Sequence, residues 1–409
     1  WDDYKGVDVR GKTIVMLIND PPLADLKMFG GTAMTYYGRW TYKYEIAHKL
    51  GAAAAIIIHE TGPAAYPYSV VISSWVGENF VLHDGKPVSE FPSIASWVHL
   101  DKARALFTAA GQDFDALKKA ALSRDFRPVT LNASVSFEIE NSWRDVDSRN
   151  VVALLQGSDP RLRNEYLVYT AHWDHFGYDP KLPGTKHEQV YHGARDNASG
   201  TAALLELARA FKALPVAPRR SILFIATTAE ERGLLGARHY AQHPLYPLRN
   251  TLANINIDGI NTYGKTRDIQ LTTSGKSTVD DLVRAQAQEM GMEVHGDAHP
   301  ERGSFFRADQ LEFARVGIPV AYTGAGLQVV GKPEGYGDEL VASYIAHDYH
   351  QVTDVVRPDW DTSGTRQHIE LLLRLGYDIA QGNDFPQWYP DAEFKAARDA
   401  TFAVPAAKK

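Results

Sequence analysis

The chain has 409 residues with a formal net charge of −7, 23% charged and 44% hydrophobic residues, and no cysteine. That hydrophobic share excludes wholesale disorder, and the absence of cysteine excludes disulfide scaffolds, thiol nucleophiles and thiolate-held zinc. No Lys/Arg block marks a nucleic-acid partner, and the longest apolar run, Ala52–Ile58, is far too short to span a membrane.

Residues 1–128 read as one small α/β module. In chain order it offers an apolar run at Thr13–Ile18 and a helical stretch at Tyr42–Leu50 stopped by Gly51. A second apolar run follows at Ala53–Ile58, then a short one at Pro92–Ser96 and a helix at Leu100–Ala110 stopped by Gly111. Ser123–Pro128 is the expected linker. Residues 129–409 form the second unit. Strands are expected at Val151–Leu155, Tyr166–Thr170, Ile222–Ala226, Leu252–Ile257, Ile269–Thr272 and Pro319–Tyr322. Helices are expected at Gly200–Leu214, Leu234–Gln242, Thr278–Met290 and Arg366–Gln381, with Lys332–Ala346 as a loop. This alternation predicts an α/β fold, a mixed, mostly parallel central sheet with helices on both faces. Such sheets bind ligands beyond the carboxyl ends of their strands.

The chemistry-bearing residues fall at those ends. Tyr166–Thr170 runs into Ala171-His172-Trp173-Asp174-His175, Ile222–Ala226 into Glu230-Glu231, and Leu252–Ile257 into Asp258. Asp196-Asn197-Ala198-Ser199-Gly200 opens a helix, and Tyr349-His350 with Asp354 sits in a polar loop. Histidines with carboxylates suit a divalent metal, zinc above all. One bridging carboxylate, plus one His and one carboxylate per ion, would build a two-metal site that acidifies a water. Each piece alone has an ordinary reading. His-x-Asp is usually a packing pair, Glu230-Glu231 a charged first helical turn, Asp196-Asn197 an N-cap, and Tyr349-His350 a stacked loop pair. The whole set, in this order, is hard to obtain by chance.

These motifs resemble the co-catalytic zinc metallopeptidases, the family of secreted bacterial aminopeptidases and glutamate carboxypeptidase II. Residues 1–128 resemble the protease-associated domain of many members, leaving 129–409 as the catalytic domain. The resemblance implies two Zn2+ per chain: His172 and Asp258 on one, Glu231 and His350 on the other, Asp196 bridging. It implies Glu230 as general base toward a zinc-bridged hydroxide, Asp174 orienting the His172 imidazole, and Tyr349 donating to the oxyanion. Asp354 is placed by spacing as a support for His350. The implied reaction is removal of N-terminal residues from a peptide substrate. A carboxypeptidase or dipeptidase on this scaffold would need a cation such as Arg195 or Arg307 at the substrate carboxylate. A single-zinc glutaminyl cyclase and a non-catalytic interaction scaffold are the remaining readings; no Gly-x-Ser-x-Gly elbow supports a serine hydrolase.

The segment Arg307–Phe313 resembles a family loop reading Ser-Asp-His, with Ala308 and Gln310 in place of Ser and His, a departure expected at the substrate rim. His175 and His192 flank the ligands and are expected outside the metal shell or in solvent. Tyr36–Trp40 is an aromatic cluster expected either to line a lid or to pack in a core. Asn132-Ala133-Ser134 matches the glycosylation pattern, as chance often does. The start at Trp1 reads as a processed or trimmed chain. A periplasmic or secreted location follows from family habit. Side-chain preference and oligomeric state are not legible.

Overall fold

Three apolar runs near the amino end become strands β1 (Thr13–Leu17), β2 (Ala54–His59) and β3 (Ile94–His99), all parallel, with β2 central. The computed structural model describes every residue except 24, 26, 27, 30, 32, 76, 77, 84–90, 274 and 404–409. Its contacts divide it into Trp1–Asp147 with His299–Phe306, and Ser148–Ala298 with Arg307–Lys409. The division thus falls after the linker expected at Ser123–Pro128; residues 129–150 carry no regular structure.

In the first unit, helix Trp40–Lys49 packs Tyr44 and Ala47 against Ala55 and Ile57 of β2. The Tyr44 hydroxyl donates to the Ser96 carbonyl at 2.9 Å, which pairs helix and sheet by a polar as well as an apolar contact. Trp40 packs edge-on to Tyr44 and Phe91, so this part of the aromatic cluster is core, while Tyr37 is exposed. The excursion His299–Phe306 is tied in by Asn19 Nδ2 donating to the Glu301 carbonyl at 2.7 Å and by Met34 N donating to Pro300 at 2.9 Å.

The second unit holds β4 (Val151–Leu155), β5 (Tyr166–His172), the short pair β6 (Gly177–Tyr178) and β7 (Val190–Tyr191), β8 (Ser221–Thr227), β9 (Thr251–Asn256), β10 (Asp268–Leu271), β11 (Glu293–Gly296) and β12 (Val320–Ala325). The seven-stranded sheet has the order β11-β10-β12-β9-β5-β8-β4. Its β9-β5-β8 centre and β12 are mutually parallel, while β4 and the β10–β12 pairing are antiparallel. Every residue of β5 and β9 is buried, as a strand covered on both faces requires. Helix Ser199–Ala213 contributes Leu204, Leu207 and Phe211 to the core, and helix Thr362–Gln381 contributes Leu372, Leu375 and Ile379. Gly376 makes the second contact possible: a Cβ there would fall 1.8 Å from the Tyr169 hydroxyl, which donates to Leu372 at 2.6 Å.

Three sequence expectations are corrected. Most of Lys332–Ala346 is helical, Tyr336–His347, because Asp338 and Glu339 favour a first turn that the preceding glycines and proline had masked. Strand β11 is too short and too polar to announce itself, and forms by pairing with β10. A further helix, Lys395–Ala403, follows the one expected last. Its buried Arg398 donates to the carbonyls of Thr251 and Leu248 at 2.8 and 3.2 Å.

Candidate metal centre

Strands β5, β8 and β9 run parallel, so their carboxyl ends share one edge. His172 is the last residue of β5, Glu230 and Glu231 follow β8, and Asp258 follows β9. Asp196 arrives from the turn before helix Ser199–Ala213. The rest of that motif is explained by how the turn is held. Asn197 Nδ2 donates to the Ile257 carbonyl at 2.8 Å, and its Oδ1 accepts from Gly200 N and Gly259 N at 3.0 and 3.1 Å. A Cβ on Gly200 would come within 2.2 Å of that same oxygen. Asn197, rather than Asp196, therefore takes the capping role and leaves the Asp196 carboxylate for the cluster.

His172 Nε2 lies 3.1 Å from Asp196 Oδ1 and 3.3 Å from Asp258 Oδ1. His350 Nε2 lies 3.0 Å from Glu231 Oε2 and 3.5 Å from Asp196 Oδ2. Asp196 thus presents one oxygen to each imidazole. His172, Asp196, Glu230 and His350 are buried, and the Glu231 and Asp258 side chains expose only 6% and 16%. His172 Nδ1 donates to the Asp174 main-chain oxygen at 2.9 Å, which turns Nε2 toward the carboxylates. The orienting contact expected from the Asp174 carboxylate is therefore made by its carbonyl. The carboxylate accepts instead from Thr228 Oγ1 at 2.6 Å and Ala229 N at 2.8 Å, in the turn that carries Glu230 and Glu231. Ala229 (φ +53°) and His350 (φ +60°) both hold left-handed backbone beside the cluster.

Burial opposes charge on both imidazoles, yet the carboxylates outweigh it. Asp258 and Asp196 hold His172 well above the usual imidazole range, and Glu231 and Asp196 lift His350 to about 10. Burial likewise opposes ionisation of Glu231, but His350 and His175 bring it to about 2. Glu230 goes the other way: burial, with Glu231 and Asp258 nearby, pushes it well above the carboxylate range. Four carboxylates crowded with imidazoles in a dry site require cations. The donor set is nitrogen and oxygen only, which suits a divalent ion of zinc type. A tetrahedral ion with bonds of about 2.0–2.1 Å separates its ligand atoms by roughly 3.3 Å, and the imidazole–carboxylate spacings of 3.0–3.5 Å match that edge. Groups of His172, Asp196 and Asp258, of His172, Glu230 and Glu231, and of His175, Asp196 and Glu231 each bring ligand atoms within 4.8 Å of one another.

Other expected residues land differently. Asp354 engages the main chain of the Asp196 turn. Its carboxylate accepts from Arg195 N and Asp196 N, both at 3.0 Å, and so clamps the turn that carries Asp196. Tyr349 stacks on His350 with centroids 3.8 Å apart. The Arg195 guanidinium lies 4.3 Å over the Tyr344 ring. His192 pairs with the His187 carbonyl at 3.2 Å, outside the cluster. Asp309 and Gln310 are buried rather than at a substrate rim. Asp309 accepts from Thr227 Oγ1, and burial pushes it up to about 7; Gln310 Oε1 accepts from Asn256 Nδ2 at 2.8 Å. The Asp309 position was legible only as a loop motif; its buried contact with Thr227 needed the sheet. His175, expected outside the metal shell, stands 2.7 Å from Glu231; its only signal was a third histidine-or-acid position in one five-residue run.

The sequence model of peptidase family M28 matches residues 150–374, more than half of the chain. The chain is 32% identical over 151 residues to Aminopeptidase YwaD of Bacillus subtilis, a match covering 36% of this chain and 30% of that protein. It is 33% identical over 132 residues to mouse Aminopeptidase NAALADL1, covering 31% of this chain and 15% of that one. The matched part therefore spans less than a third of either relative. Among solved structures, an aminopeptidase from Aneurinibacillus sp. strain AM-1 aligns with a TM-score of 0.49 at 18% identity, covering 93% of this chain and 72% of that one. No helix among the described residues is long and apolar enough to cross a membrane. From the family match across the strands, turns and loop that assemble the cluster, the chain belongs to peptidase family M28.

Proposed function

We propose that the chain is a zinc-dependent exopeptidase that removes residues from the free amino end of peptides. The observation that carries this reading is the buried meeting of His172, Asp196, Asp258, Glu231 and His350, with Glu230 beside them and outside the shared imidazole contacts. His172, Asp258 and Asp196 would hold one ion, and Glu231, His350 and Asp196 the other. Two such ions supply polarisation of a scissile carbonyl and a water acidic enough to lose its proton near neutrality. Glu230 takes that proton and passes it to the leaving amine. Tyr349, packed on His350, is the candidate donor to the developing oxyanion. Asp174 and Asp354 set the two turns from which Glu230, Glu231 and Asp196 project.

The amino-end preference rests on the aminopeptidase relatives. A carboxyl-end preference would need a cation such as Arg195 or Arg307 at the substrate carboxylate; the Arg195 guanidinium lies over the Tyr344 ring. We take residues 1–128 as a protease-associated domain and the protein as exported, both from family resemblance. The test is mass spectrometry of peptides free at both ends, N-acetylated, or C-amidated, with and without a zinc chelator. Stepwise loss from free amino ends, stopped by acetylation and by chelator, is expected. Loss from the carboxyl end would make it a carboxypeptidase; activity untouched by exhaustive chelation would overturn the metal mechanism.

A further inference from the structure

His175 lies three residues past the end of β5 and has no part in the five-ligand set. Its Nδ1 is 2.7 Å from Glu231 Oε1, while Glu231 Oε2 is 3.0 Å from His350 Nε2. Two imidazoles therefore stand at the two oxygens of one carboxylate. The His175 side chain is only 6% exposed. Yet among the described residues neither of its ring nitrogens has a hydrogen-bond partner, and neither does Glu231 Oε1. With Nδ1 free of its proton, the imidazole and this carboxylate could share one ion. Buried polar atoms seldom go unsatisfied without a reason, and here His175 Nδ1 faces Glu231 Oε1, with ligand atoms of His175, Glu231 and Asp196 all within 4.8 Å of one another. The ring is held by Phe176 and His350, with centroids at 4.7 and 5.9 Å. Gly193 gives it room: a Cβ there would fall 2.9 Å from the ring.

We propose that His175 is a third imidazole ligand, through Nδ1, for the ion on the Glu231–His350 side. The inference rests on the two-metal reading above. That side then offers four protein donors, His175, His350, Glu231 and Asp196, against three on the other, His172, Asp258 and Asp196. Four protein donors characterise ions that are held, and three leave a position open for water and substrate. The ion on the Glu231 side is accordingly the tightly retained one, and the ion on the His172 side is the one exposed to chemistry.

The test uses the full chain loaded with Zn2+ for metal content and chelator competition, and with Co2+ for counting exchangeable, paramagnetically shifted imidazole N–H protons. The wild type should hold two ions and show three such protons, from His172, His175 and His350. His175→Ala and the shape-keeping His175→Phe should each remove one proton signal. Each should weaken one ion by more than the roughly 10–100-fold typical of an outer hydrogen-bond partner and leave the other as it was. Unchanged affinities, or a smaller loss with the remaining signals matching a wild type that shows only two, would overturn the proposal while leaving the two-metal reading intact. A wild type that holds no metal would overturn the reading itself. The wild-type proton count decides the matter even where a variant fails to fold.

Discussion

Asp174 faces two ways: its carboxylate accepts the Ala229 main-chain N–H at 2.8 Å, while its own main-chain oxygen takes the Nδ1 proton of His172. The side chain therefore governs the turn that carries Glu230 and Glu231, and the backbone governs the imidazole. Asp174→Ala should keep the His172 contact and loosen the turn. We expect a fall in activity of about 10–100-fold, with metal affinity on the Glu231 side reduced more than on the His172 side. Chelator competition with kinetics checks this; equal loss on both sides would contradict it.

Glu230→Gln preserves shape and removes the proton acceptor. Activity should drop by roughly 10²–10⁴, the usual worth of general acid–base catalysis. Metal content should stay at the wild-type value, because Glu230 is beside the proposed ligands rather than among them. Elemental analysis of the same sample that is assayed separates loss of the base from loss of the metal.

The Asp354 carboxylate satisfies two main-chain N–H groups in the turn before helix Ser199–Ala213, one of them on Asp196 itself. Asp354→Ala leaves those donors unpaired, which costs about 1–3 kcal/mol for a buried group. Urea unfolding of the metal-free protein should show that loss. A variant as stable as the wild type would mean that water replaces the carboxylate.

His368 is buried, and with burial as the cause its pKa is brought down to about 4; its Nε2 lies 2.8 Å from Thr323 Oγ1. A depressed imidazole binds its proton more readily in the unfolded chain, so stability is full above the unfolded value of about 6.5 and falls as pH drops toward 4. The shift corresponds to about 3 kcal/mol across that window. His368→Gln should flatten this part of the stability–pH curve, read from urea midpoints between pH 7 and pH 4.

Removing bound metal should destabilise the second unit. An ion present at about 1,000 times its Kd adds roughly 4 kcal/mol, and stripping it leaves Asp196, Glu231 and Asp258 crowded without compensation. Exhaustive chelation should lower Tm, and added Zn2+ should restore it. A Tm indifferent to chelator would exclude a metal from this cluster.

Much was legible before any coordinates because it is local. Buried parallel strands read as apolar runs, so the strands that deliver His172, Glu231 and Asp258 lie within a residue or two of their expected bounds. Residues placed just beyond those runs must share an edge once the strands are parallel, which set His172, Glu231 and Asp258 together by spacing; Asp196 and His350 joined them as ligand candidates through the family resemblance. The helices Tyr336–His347 and Lys395–Ala403 were not legible, since glycines mask the start of one and the other is anchored by a buried Arg398 reaching distant carbonyls.

Sequence by itself determined which residues could reach the strand ends, because a side chain's type and its position past a strand are properties of the chain alone. Only the tertiary structure decided what each one touches. Asp354 holds the main chain of Asp196, Asp309 lies buried against Thr227, and His175 stands at Glu231. Those partners are separated along the chain by between 56 and 158 residues or belong to different turns. Contacts of that kind are set by how turns and sheet close on one another, and hydrogen bonds act over about 3 Å, a scale no spacing rule resolves.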